Sequence, residues 1–171
     1  MADPSPRQAS GAPAANTHGG LMVCLATGLG VGRVRWASGT VGGALWGLPL
    51  AYLLGQVRLP IRVVVIVAIC AAGIPICTAA CRRLGGAKDP GSIVLDEIAS
   101  MPMTFFLIPM TGLQVVFAGF LLNRAFDIAK PAPARQLEHL PEGLGVMADD
   151  WAAGIYSCLV LHLLVWLDVF A

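Results

Sequence analysis

The sequence predicts an all-α protein, a multi-span helical bundle embedded in a membrane, and three observations carry that prediction. Of 171 residues, 57% are hydrophobic and only 12% charged, with a mean hydropathy of +0.75; an ordinary soluble domain carries about a quarter charged residues. The apolar residues come in several separate runs and not as one anchor. The charges that remain cluster between those runs. With a net charge of +1 and no basic stripe interleaved with aromatics, nothing points to nucleic acid. The length allows one domain over residues 21–171, after a tail.

Residues 1–20 are Pro, Ala, Ser and Gly with no apolar periodicity, which predicts a disordered tail carrying a solvated His18. A charged start running directly into an apolar stretch, as a signal peptide requires, is missing. Residues 21–32, with Gly28, Gly30 and Gly32, read as a short interfacial or re-entrant piece. Residues 42–57 and 61–80 are apolar enough to span, the second reaching ~30 Å at 1.5 Å per residue. Leu59-Pro60 turns the chain between them, with Arg58 and Arg62 at the interface. The polar loop that follows ends in Asp89 as N-cap and Pro90 at the first helical position, predicting a helix over 90–109 kinked at Pro102. Met110, Thr111 and Gly112 break it, and a second helix runs over 113–128 to complete a helical hairpin around 90–128. The prolines and glycines of 130–148 read as a polar loop outside the bilayer, with Glu138, His139 and Glu142 solvated. Asp149 and Asp150 then open a final helix, with Trp151 and Trp166 near its ends and His162 expected to bond a neighbouring helix. The five cysteines show no metal-binding spacing and read as small buried apolar residues.

In that hairpin Asp96 lies ~20 Å and Asp127 ~21 Å from the tip, so the two carboxylates are level. Arg124 shares a helix face with Asp127. Arg33, Arg35, Arg82, Arg83, Lys88, Arg124, Lys130 and Arg135 fall on one side of this topology and Arg58 and Arg62 on the other, which makes the charged face cytoplasmic. Asp96, Glu97, Asp127, Asp149 and Asp150 would then meet with Arg124, Lys130 and Arg135 in one pocket. Packed carboxylates repel unless a cation compensates them, and oxygen ligands suit Mg²⁺; the basic residues suit a phosphate.

Four stretches carry a resemblance: SGTVGG (38–43), GSIVLDE (91–97), RAFDIAKPAPAR (124–135) and GLGVMADDWAAG (143–154). Together, over residues 21–155, they resemble the ordered motifs of the phosphatidylglycerophosphatase A family. Two departures stand out, Ser100 where the family usually has Gly and Ser38 where it commonly has Pro; neither removes a charge. The resemblance implies a Mg²⁺-dependent phosphatase in a bacterial inner membrane, among membrane lipids, that converts phosphatidylglycerophosphate to phosphatidylglycerol. Phosphoryl transfer needs charge neutralisation and an in-line nucleophile more than covalent help. Asp96, Glu97, Asp127, Asp149 and Asp150 are therefore expected to include the metal ligands. Asp96, Glu97, Asp127 and Asp150 are the catalytic candidates, with a metal-activated water or a free carboxylate attacking. Arg124, Lys130 and Arg135 are assigned to the phosphate, with Thr40 adding a hydroxyl from its Gly-flanked loop.

Blander readings compete. Asp149 and Asp150 suit an N-cap pair, Arg124 and Asp127 a plain ion pair, Lys130 and Arg135 interface anchors, and Gly39, Gly42 and Gly43 close helix packing. The rival functions are a small ion or solute transporter, a phospho-alcohol transferase, whose DxxDGxxAR signature is missing, and a silent scaffold. Oligomeric state is left open by the sequence.

Overall fold

The computed structural model describes residues 17–34, 36–85 and 90–170, which are all-helical with no strand among them. Residues 1–16 of the expected tail, Arg35, Lys88 and the expected cap Asp89 lie outside the described residues. Helix α1 (Thr17–Ala26) already begins inside the stretch read as tail. Gly28 and Gly30, at φ 55° and 95°, turn the chain into a 3₁₀ turn at Val31–Arg33. The run read as one span over 42–57 is composite. Helix α2 (Ser38–Gly42) widens into a π turn (Gly43–Gly47) and continues as α3 (Leu48–Gly55). Pro49 sits at the start of α3 and has no N–H to give the turn before it, a local reason for the wide turn.

Helix α4 (Leu59–Arg83) begins with Pro60 in its first turn and turns Val63, Val64 and Val67 outward. Helix α5 spans Leu95–Thr104 and α6 Leu113–Ala129, joined through Leu107 at φ 61°. The hairpin is therefore present, but its first helix starts five residues later and ends five residues earlier than expected. A four-residue α7 (Ala134–Leu137) precedes α8 (Glu142–Trp166). Among the described residues, α4 and α8, each 25 residues, are the two helices long and apolar enough to cross a membrane.

Helix α8 is the hub, packed against α4, α5, α6 and α7. Its start corrects the expected loop over 130–148: residues 142–148 are helical. Gly143 and Gly145 serve contact and not breakage. Gly143 N donates to Thr78 Oγ1 at 3.0 Å, and a Cβ on Gly143 would overlap the Ile74 carbonyl oxygen and lie 2.5 Å from Thr78 N. Because those neighbours are backbone and cannot yield, Gly143→Ala should destabilise the protein by about 3 kcal/mol, read as a lowered Tm in detergent; an unchanged Tm would contradict this contact.

The core has two apolar clusters, one around Cys77, Ala80, Val146 and Met147, the other around Met101, Phe105, Val115 and Leu161. Of the cysteines expected inside, Cys77 and Cys81 are buried, Cys70 and Cys158 half-buried, and Cys24 exposed. His162 bonds within its own helix, Nδ1 lying 2.8 Å from the Cys158 carbonyl, and not across to a neighbour.

Candidate active site

Three local structures bring the acidic residues together. A turn before α5 is pinned by Ile93 N donating to Pro90 O (2.9 Å), Val94 N to Ala26 O (2.9 Å) and the Ser38 hydroxyl to Gly91 O (2.6 Å). These bonds delay the helix to Leu95, so Asp96 and Glu97 fall in its first turn and not the second. There the macrodipole favours their charge, and Glu97 N donates to Asp96 Oδ1 at 3.0 Å. At the far end of the hairpin, α6 delivers Arg124 and Asp127 and stops at Lys130, which is left-handed at φ 42°. Helix α8 delivers Asp149 and Asp150 from two turns inside the helix, so neither is an N-cap; Pro141 holds that position.

Around a cavity of about 300 Å³ stand Asp96, Glu97, Asp127, Lys130, Asp149 and Asp150, with Ser38 at its edge. Arg124 Nη2 is 2.9 Å from Asp127 Oδ2, and its Nη1 is 3.6 Å from Glu97 Oε1. Lys130 Nζ donates to Asp149 Oδ2 at 2.7 Å and lies 3.3 Å from Glu138 Oε2. Burial works against the Lys130 charge, but the bonds and charges of Asp149 and Glu138 hold its pKa above the ordinary lysine range.

Asp96, Glu97 and Asp150 each offer one carboxylate oxygen, all within 4.8 Å of one another. Asp96 and Asp150 are buried, and Glu97 Oε2 and Asp150 Oδ2 have no hydrogen-bond partner among the described residues. An all-oxygen donor set suits a hard divalent cation, and three carboxylate oxygens this close can converge on one ion by rotation of their side chains. Buried carboxylates this close are costly without a counter-charge.

Two expected residues are not brought in. Arg135 is exposed on α7, and Thr40 does not line the cavity. The loop around Thr40 contributes its neighbours: Ser38 anchors the turn before α5, and Gly39 lets the backbone approach so closely that a Cβ there would overlap Glu97 Oε1. Glu138 and Glu142, read as solvated, pair with Lys130 and with Arg82, the latter at 2.5 Å on the surface. Asn123, buried beside Arg124, is not among the residues that the sequence marks for the site; its one signal there is a lone amide in an apolar run.

A family model described as PgpA: Phosphatidylglycerophosphatase A matches residues 24–165. A phosphatidylglycerophosphatase A of Escherichia coli (strain K12) is 35% identical over 140 residues, covering 81% of this chain and 80% of that protein. A protein of the same name from Haemophilus influenzae is 37% identical over 149 residues, covering 80% and 84%. A Bacteroides thetaiotaomicron protein, provisionally named a phosphatidylinositol-3-phosphatase, is 33% identical over 155 residues, covering 85% and 94%. No solved structure matches the chain.

Proposed function

Because the chain belongs to the phosphatidylglycerophosphatase A family, a family of phosphatases, we propose that it removes the phosphomonoester of phosphatidylglycerophosphate to give phosphatidylglycerol and inorganic phosphate, with Mg²⁺ at the carboxylate cluster. The observation that carries this reading is the three-carboxylate cluster of Asp96, Glu97 and Asp150 beside two basic side chains. A bound divalent cation supplies positive charge against the phosphoryl oxygens. Arg124 adds a fixed guanidinium charge directly behind Glu97 and Asp127, which line the cavity where Arg124 itself does not. Glu97 and Asp127 hold that guanidinium from two sides, and Asp149 orients the Lys130 ammonium at the cavity rim. Arg135 and Thr40 have no role in this arrangement.

The same reading puts the protein in a bacterial inner membrane, with α4 and α8 among its spans. The outward valines of α4 suit hydrocarbon; its two ends carry two arginines each, Arg58 and Arg62 against Arg82 and Arg83, and the excess that favours the cavity side as cytoplasmic comes from Arg124, Lys130 and Arg135. The acidic groups gather around one cavity, from the start of α5, the end of α6 and two turns inside α8, and not along a path through the bundle, which disfavours a transporter.

The test is phosphate release by purified protein from phosphatidylglycerophosphate and, in a parallel arm, from phosphatidylinositol 3-phosphate. Release from the first lipid should need Mg²⁺, stop with chelator, and fall at least about a hundredfold in Asp96→Asn and Asp127→Asn. Turnover undiminished by chelator would remove the metal from the proposal, and preference for the inositol lipid would reassign the substrate.

A further inference from the structure

One turn beyond Glu97, α5 and α6 are joined by three polar side chains with no exposed surface, Ser100, Thr104 and Asn123. The Asn123 amide donates to Ser100 Oγ at 3.1 Å and to Thr104 Oγ1 at 3.0 Å, using both of its N–H groups. The Thr104 hydroxyl donates to Ser100 O at 3.2 Å, and the Ser100 hydroxyl has Glu97 O at 3.1 Å and Asn123 Oδ1 at 3.4 Å. Apart from the longer Arg124–Glu97 ion pair at 3.6 Å, this helix pair shares an apolar cluster that includes Met101 and Val115, whose contacts can slide with little penalty. Sliding α6 along α5 would strip the amide of both acceptors where no water can replace them, so the bonds specify one register. Asn123 directly precedes Arg124, and Ser100 lies three residues after Glu97.

We infer that Asn123 is a positioning residue, whose paired hydrogen bonds to Ser100 and Thr104 hold Arg124 and Asp127 of α6 level with Asp96 and Glu97 of α5. It touches neither substrate nor cation. The inference rests on the cation-site assignment above, and its test separates the two. The proposed cation ligands sit on α5 and α8, so a shift of α6 should spoil turnover while leaving the cation site intact.

Asn123→Leu keeps the volume, and the two hydroxyls keep their carbonyl partners, so the fold should persist. Mn²⁺ bound to the purified protein in detergent, counted by electron paramagnetic resonance, should match wild type in stoichiometry and, within about twofold, in affinity. Turnover per Mn²⁺ site should fall about tenfold or more, with KM for the lipid changed far less. Thr104→Val should move in the same direction, Thr104→Ser should restore wild-type turnover, and Asn123→Leu with Thr104→Val should be no worse than Asn123→Leu alone. Normal turnover per site in Asn123→Leu, or a loss shared equally by Mn²⁺ stoichiometry and activity, would overturn the register role. Wild-type protein that bound no Mn²⁺ would instead sink the cation-site assignment.

Discussion

Asp150→Asn should cut phosphate release from phosphatidylglycerophosphate on the order of a thousandfold, about 4 kcal/mol of barrier, while making the cation-free protein more stable. Asp150 is 3% exposed, its Oδ2 has no hydrogen-bond partner among the described residues, and it lies in the cluster with Asp96 and Glu97. Asparagine keeps the shape but removes one of the like charges, and its amide can donate to a neighbouring carboxylate. Repulsion relieved in the folded state raises Tm by a few degrees, roughly what ~1 kcal/mol gives a domain of this size. The same change removes a ligand, so Mg²⁺ should raise the Tm of the variant less than that of wild type. Thermal melts with and without Mg²⁺, set beside phosphate release, check both halves. Wild-type turnover in the variant would remove Asp150 from the site, and an equal Mg²⁺ response would remove it from the cation.

Gly39→Ala should lower kcat about a hundredfold with Tm changed by no more than about 2 °C. The added Cβ would overlap Glu97 Oε1 and lie 2.9 Å from Arg124 Nη1. Both are far ends of flexible side chains, so they can swing aside and spare the backbone. The displaced groups are the ones that the proposed chemistry needs in place. Gly143→Ala is the converse, because its obstacles are the Ile74 carbonyl and the Thr78 amide. Activity and stability should therefore separate: Gly39→Ala loses turnover and keeps its melt, whereas Gly143→Ala loses its melt. A collapsed Tm in Gly39→Ala, or unchanged kcat, would contradict the close approach of α2 to the site.

Much of the architecture was legible in residue order alone. The run over 61–80 became α4, the helix expected over 113–128 differs from α6 by one residue, and the break at Met110 to Gly112 lies in the connection between α5 and α6. These follow from local rules, since an apolar run and a turn signal need no distant partner to be read. The misreadings share a cause. Gly143 and Gly145 look like loop residues because glycine weakens an isolated helix, yet it also permits the closest backbone contacts, and only α4 lying against Gly143 and the turn at Glu138 and Leu140 lying against Gly145 decide between the two. Pro90 looked like a helix start, but bonds from Ser38 and to Ala26, far away in sequence, hold the next residues in a turn.

The sequence by itself determined which residues can carry charge, which stretches are apolar, and that the acids of three separated motifs belong near one face. Only the tertiary structure decided which of them are neighbours: Gly39 rather than Thr40 reaches Glu97, Arg135 stays outside, and Asn123 joins the two hairpin helices. The physical reason is range. Helix propensity and hydrophobicity act over a few residues and survive in the linear pattern, whereas carboxylate spacing depends on ångström-scale packing between helices.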